Sequence, residues 1–271
     1  MNVSGAPATT PPRSGTSDIL AAIAAFESWL SLGAFDIRQR YRRSAIGPFW
    51  IVISTAAVAG GIGFMMSSIQ GRPITNLIAY IVVGIMIWQF LSTALAESCQ
   101  ALIGRAAYIK SLPQPVCANI LRTLWVQVLI FLHTMILYPF VVLFTGIPIS
   151  ATLLMVIPGL FLLILNLGWM SVILATVSAR FRDIPLVVGN FLSFLMFLTP
   201  VFWTPSSSNP NYLAAIDYNP LYWLIQLVRE PMLGNMPVML QWVGSMVMAV
   251  IGWLVASVIY NRAYKRLALW V

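Results

Sequence analysis

Six uncharged, apolar runs constrain this chain more than any other feature. They lie near residues 50–70, 74–96, 123–145, 152–177, 184–203 and 238–260. A helix needs about 20 apolar residues to cross a bilayer, and each run has at least 20. A charge held at mid-bilayer costs about 2.5–3.5 kcal/mol on insertion scales, so uninterrupted neutrality over such lengths is informative. Backbone groups in hydrocarbon must be satisfied within their own segment, which selects helices. The whole chain is only 8% charged, against about 25% for soluble domains, too little to cover a water-facing surface. These runs predict an all-α integral membrane protein with six transmembrane helices.

The connections set its orientation. Arg38, Arg40, Arg42 and Arg43 cluster just before the first run, and Ile46-Gly47-Pro48 breaks the pattern there. Of the 15 Lys and Arg, all but Arg72 and Arg229 fall in the N-terminal region, the 97–122 and 178–183 loops and the C-terminus. Positive charge is retained on the cytoplasmic side, so both termini are expected there. Residues 1–16 are small, polar and Pro-rich and read as a disordered cytoplasmic tail rather than a signal peptide. The remaining 17–271 read as one transmembrane domain. Within it, residues 17–45 predict one amphipathic helix in the cytoplasmic interface. Ser17 or Asp18 is its N-cap, and Ile19, Ile23, Phe26, Leu30, Gly33 and Ile37 form one stripe. The 97–122 loop predicts a short helix ending at Ser111-Leu-Pro-Gln-Pro115. The external 204–237 connection contains Tyr218 to Val228, too short to span, and predicts short re-entrant or interfacial helices.

No catalytic constellation is visible. The seven acids lie outside the apolar runs, which argues against a buried carboxylate relay. No phosphate-binding GxxxxGK[ST] loop is present. Cys99 and Cys117 have no metal-ligand spacing and are expected as free thiols. His133 in the third run reads best as an interhelical hydrogen-bonding group. Arg180 to Asp183 reads equally as an Arg/Asp fastening of two helix ends or as a functional turn. Thr199-Pro200 should kink or stop the fifth run. Gly60, Gly61 and Gly63 allow close helix approach. Trp50, Trp88, Trp203 and Trp242 lie near run ends, as an interfacial belt requires. Trp125, Trp169 and Trp253 lie further inside, where lining a pore is the minority reading. Aromatic faces in a pore could stack on the C–H faces of sugar rings, with Trp50 and Trp203 as candidates. Arginine forks meet phosphate oxygens bidentately, so Arg42 and Arg43, beside Ile46 and Gly47, are candidates for a lipid phosphate. Binding of bulk anionic lipid is the plain alternative for them.

Taken together, Arg38-Gln-Arg-Tyr-Arg-Arg-Ser44, Ile46-Gly-Pro-Phe-Trp50, Phe181-Arg-Asp-Ile184, Thr199-Pro-Val201 and Tyr218-Asn-Pro220 give the chain a family likeness. From about residue 30 onward it resembles the permease subunit of ABC exporters for O-antigen, capsular and teichoic-acid polysaccharides. Ile46-Gly47 stands where that family usually has Leu-Gly. The resemblance implies a non-enzymatic homodimer in the bacterial inner membrane, served by two ATP-binding subunits. Those subunits bind ATP and Mg²⁺; this chain holds no cofactor. It further implies that the first and fifth spans line a polysaccharide channel. The lipid-linked end would enter near the interface helix and Ile46-Gly47, and external re-entrant helices would cap the exit. The 97–122 loop, with Arg105, Tyr108 and Lys110, would dock on the ATPase. A drug- or lipid-exporting ABC permease is the neighbouring alternative. A membrane-embedded enzyme would need acidic or His clusters that the sequence lacks.

Overall fold

The structure, a computed structural model, describes residues 14–42, 46–47, 49–71, 73–111, 114–205 and 216–270. Most of the expected tail therefore lies outside the described residues. Every regular element among those described is helical.

The single helix expected over 17–45 is two helices, α1 (Gly15–Ala24) and α2 (Phe26–Tyr41), meeting at 71° across Ala25. An unbroken helix would pair the Ala22 carbonyl with Phe26 N–H; here Trp29 Nε1 donates to that carbonyl at 2.9 Å. The bend splits the stripe. Ile19, Gly33 and Ile37 are buried, while Ile23 and Phe26 are exposed. The N-cap is Ser14, in a capping box with Ser17, so residues 14–16 are helix start rather than tail. Asp18 serves another helix instead. Its carboxylate accepts from the backbone N–H of Val116 at 3.0 Å and Cys117 at 2.8 Å, and from Tyr260 Oη at 2.6 Å. Those two amides open α6 (Val116–Thr134), whose own cap residue Pro115 has no side-chain acceptor. A carboxylate there meets both unpaired N–H groups and the positive end of the helix.

The long helices are α3 (Phe49–Gln70), α4 (Ile74–Gln100), α6 with α7 (Leu137–Thr145), α8 (Val156–Arg180) and α11 (Met239–Trp270). Among the described residues these form five stretches long and apolar enough to cross a bilayer. The fifth expected span is shorter than its apolar run. α9 (Ile184–Leu198) has 15 residues, about 22 Å at the usual rise, against a hydrocarbon core of about 30 Å. Thr199 is extended, and the helix stops where Thr199-Pro200 signalled. The expected 97–122 loop is shorter at both ends: Glu97 rides on α4 and Arg122 on α6. α5 (Ala106–Ser111) precedes the Pro-rich segment, and α10 (Pro220–Met232) lies in the 204–237 connection.

α4 is the axis of the core. Ile81, Val83, Ile85, Ile87, Leu91 and Ala94 along it are enclosed by neighbouring helices. The inner tryptophans pack against glycines of neighbouring helices. Any Cβ on Gly252 would sit 2.2 Å from the Trp169 ring, on Gly168 2.8 Å from Trp253, and on Gly33 2.7 Å from Trp125. Gly63 likewise admits Ile78, whereas Gly60 and Gly61 face open space. His133 hydrogen-bonds the Leu129 carbonyl of its own helix at 2.6 Å rather than a second helix. Cys99 and Cys117 are free and buried.

Contacts sort the connections into two ends. α1 packs on α6 and α11, with Gly15 N donating to Asn261 Oδ1 at 2.8 Å. Arg182 Nη2 donates to the Trp270 carbonyl at 2.9 Å, and Arg180 lies over the Phe181 and Trp270 rings. Arginine thus fastens this turn to the end of α11, and no Arg–Asp ion pair forms there among the described residues. At the opposite end Tyr138 Oη donates to the Met232 carbonyl at 2.8 Å and Tyr80 Oη to Pro200 at 3.2 Å.

Candidate functional site

The basic end carries three features in sequence. At the α2–α3 junction Arg42 is exposed, Ile46 is exposed, and Gly47 takes φ +60, the left-handed conformation that suits glycine. Trp50 opens α3 with 61% of its surface free. Arg43, Ser44, Ala45 and Pro48 lie outside the described residues.

In the loop after α4, Arg105 points inward. Its Nη1 donates to Thr123 Oγ1 at 2.6 Å and to the Asn119 carbonyl at 3.3 Å, and its Nη2 reaches Asp36 Oδ2 at 3.4 Å. Arg122 holds the same carboxylate with a two-pronged grip, Nε to Oδ2 at 2.7 Å and Nη2 to Oδ1. Burial, then the Arg122 charge, pull Arg105 below the ordinary guanidinium value, and Asp36 opposes them. Asp36 thereby ties α2, the loop and α6 together. Lys110 is exposed on α5, and Tyr108 is half-buried with Oη 3.3 Å from Gln114 Oε1. Of the expected trio, Arg105 braces the loop while Tyr108 and Lys110 sit on its outer helix.

Between α2, α3, α4 and α6 runs a groove of about 310 Å³ with mixed polar and apolar walls, continued by a second hollow of about 290 Å³. Arg40, Glu97 and Gln127 border both parts. Thr55 of α3 donates to Gln89 Oε1 of α4 at 2.8 Å, and the stacked rings of Phe90 and Phe131, centroids 4.7 Å apart, form an apolar wall. A larger hollow of about 690 Å³ between α8 and α9 is lined almost wholly by aliphatic and aromatic groups.

At the far end, Arg229 of α10 is fully buried. Its guanidinium lies 3.9 Å from the Tyr80 ring centre, donates to Gln226 Oε1 and to the Pro200 carbonyl, each at 2.7 Å, and reaches the Val201 carbonyl at 3.4 Å. It binds α10 to the broken end of α9 and to α4, whose Gly84 leaves space for the Val201 carbonyl. Asn219 caps α10 and donates to Thr199 Oγ1 at 3.1 Å. Trp203 is half-buried, its Nε1 donating to the Phe197 carbonyl at 3.2 Å. Trp50 and Trp203 therefore stand at opposite ends, and the structure does not bring them together. Sequence reasoning missed Asp36–Arg122, the Arg229 cluster, Gln89 and Gln127. The two glutamines interrupt otherwise apolar runs and were the available signal.

Two comparisons bear on this arrangement. A family profile described as ABC-2 type transporter matches residues 27–233. Two proteins of Klebsiella pneumoniae, each called O-antigen export system permease protein RfbA, are each 25% identical over 200 residues, 72% of this chain and 76% of theirs.

Proposed function

The chain belongs to the ABC-2 type transporter family, and from that premise we propose that it is the membrane subunit of an ATP-driven polysaccharide exporter. Its cargo is a lipid-linked polysaccharide of O-antigen, capsular or teichoic-acid type, moved outward across the bacterial inner membrane. The observation that carries the reading is the match to permeases named for O-antigen export over most of both chains. Two copies of the chain work with two ATP-binding subunits, which supply ATP and Mg²⁺; this chain performs no chemistry itself.

The basic end faces the cytoplasm with both termini, as charge asymmetry requires. At its far end Arg229 is buried. One transmembrane domain begins with α1, behind a cytoplasmic tail. The bent α1–α2 pair lies in the interface, and α10 re-enters from outside to cap the exit. Arg42 and Arg43, at the break marked by Ile46 and Gly47, receive the lipid phosphate. Trp50 and Trp203 offer ring faces to sugars near either end of the path. Tyr108 and Lys110 meet the ATPase, and Arg105 holds their loop to α2 and α6.

Deleting the gene tests this reading. Surface polysaccharide should vanish while the lipid-linked polymer accumulates inside, and a tagged permease should retain an ATP-binding protein through purification. Unchanged surface polymer in the deletion strain refutes it.

A further inference from the structure

The groove between α2, α3, α4 and α6 holds more polar capacity than the fold uses. Gln127 is 3% exposed and forms no hydrogen bond among the described residues, yet it borders both halves of the groove. Its amide atoms are not sealed off but open on the groove, where they can meet a ligand. Gln89, half-buried, opens on the same groove. Its Oε1 is engaged by Thr55, and its amide N–H pair has no partner among the described residues. Arg40 and Glu97 face the same space, and neither belongs to an ion pair among the described residues.

This combination selects a ligand class. A phosphate requires uncompensated positive charge, but Glu97 stands with Arg40, and in the lower half Arg105 is held by Asp36. An acyl chain would leave both amides stranded. A polyhydroxylated ring uses every group present. Its hydroxyls donate to a carboxylate and accept from amide and guanidinium N–H groups. Its C–H face can lie over the apolar edge left by Phe90 and Phe131, which stack on each other and are nearly enclosed. The groove's size falls in the usual small-molecule range of about 300–1,000 Å³.

We infer that this groove is a carbohydrate-binding site, distinct from the phosphate position at Arg42, taking one or two uncharged sugar rings. The inference rests on the proposed polysaccharide cargo and specifies where its sugars are read. Gln127 and Gln89 supply donors, Glu97 the acceptor, and the edges of Phe90 and Phe131 an apolar floor.

The test uses the full-length permease with its copurified ATPase in lipid nanodiscs. An octyl glucoside bearing a diazirine on the sugar is photolysed below its micelle concentration. Octyl phosphate with a chain diazirine serves as the charged control. The glucoside should label peptides spanning 89–97 and 127–134, and methyl glucoside should compete. Labelling should fall about fivefold in Gln127→Leu, the effect of one lost neutral hydrogen bond. Thr93→Phe, at an exposed position lining the groove, should block labelling without entering the core. Labelling unchanged in both variants, or equally strong with octyl phosphate, overturns the proposal. Normal polymer export with no Gln127-dependent labelling discards the groove and leaves the function standing. Groove labelling retained in a chain that exports no polysaccharide supports the groove and discards the function.

Discussion

Replacing Asp18 should release the N-terminal helix from the bundle. The carboxylate is fully enclosed and caps α6 through Val116 and Cys117, with Tyr260 and Tyr264 as further donors. Each hydrogen bond to a charged group contributes about 1.5–3 kcal/mol, and an enclosed N–H left unpaired is costly. Removing the carboxylate also leaves the positive end of α6 without its anion, an effect of about 0.3–1 kcal/mol. The two backbone bonds dominate, so Asp18→Ala should weaken attachment of α1 by about 4 kcal/mol, roughly a thousandfold in the opening equilibrium. Asp18→Asn keeps one acceptor oxygen but sets an NH₂ against a donor, and should lose about half as much. Cys117 reports the opening directly, because its thiol is buried beside the cap. In a Cys99→Ala background, maleimide should modify Cys117 about a thousandfold faster in Asp18→Ala than with Asp18 intact, by the same conversion. A cysteine placed at Leu163, buried in α8, should stay protected and so separate local release from global unfolding. Unchanged Cys117 labelling in Asp18→Ala refutes the assignment of Asp18 as the cap that holds α1.

Arg229→Ala strands the Pro200 and Val201 carbonyls and should lower resistance to SDS-driven unfolding by about 4 kcal/mol; Arg229→Lys, with no fork, should recover only part of it. Arg42→Lys with Arg43→Lys preserves charge and topology but should reduce export severalfold, and wild-type export by that variant would leave only bulk lipid binding. Tyr108→Ala with Lys110→Ala should lower ATPase copurification while membrane insertion persists. Arg105→Gln should weaken the same association less directly, by loosening the loop from Asp36.

The long helices were legible because length and neutrality in a bilayer leave little choice. The two-ended arrangement was legible from positive charge, and the structure sharpens it by burying Arg229. The stop at Thr199-Pro200 was legible from the missing proline N–H. The bend at Ala25 was not, because it has no Gly or Pro signal and is held by Trp29 reaching back to Ala22. Asp18 read as a cap for its own helix, since a sequence cannot show that Pro115, 97 positions away, leaves α6 uncapped. Attention to charge inside the runs overlooked neutral amides. Gln89, Gln127 and Asn166 each interrupt a span, and Asn166 joins α8 to the Ser245 carbonyl at 3.1 Å. The inner tryptophans could not be assigned from position, because their glycine partners lie on other helices.

Vectorial transport is the central claim, and reconstitution measures it most directly. The permease and its copurified ATPase are placed in liposomes containing radiolabelled lipid-linked polysaccharide, with the nucleotide sites facing outward. Addition of ATP and Mg²⁺ should move polymer into the lumen, where an external glycosidase cannot reach it, and a non-hydrolysable nucleotide should not. Polymer that remains fully glycosidase-sensitive while ATP is hydrolysed would contradict the account.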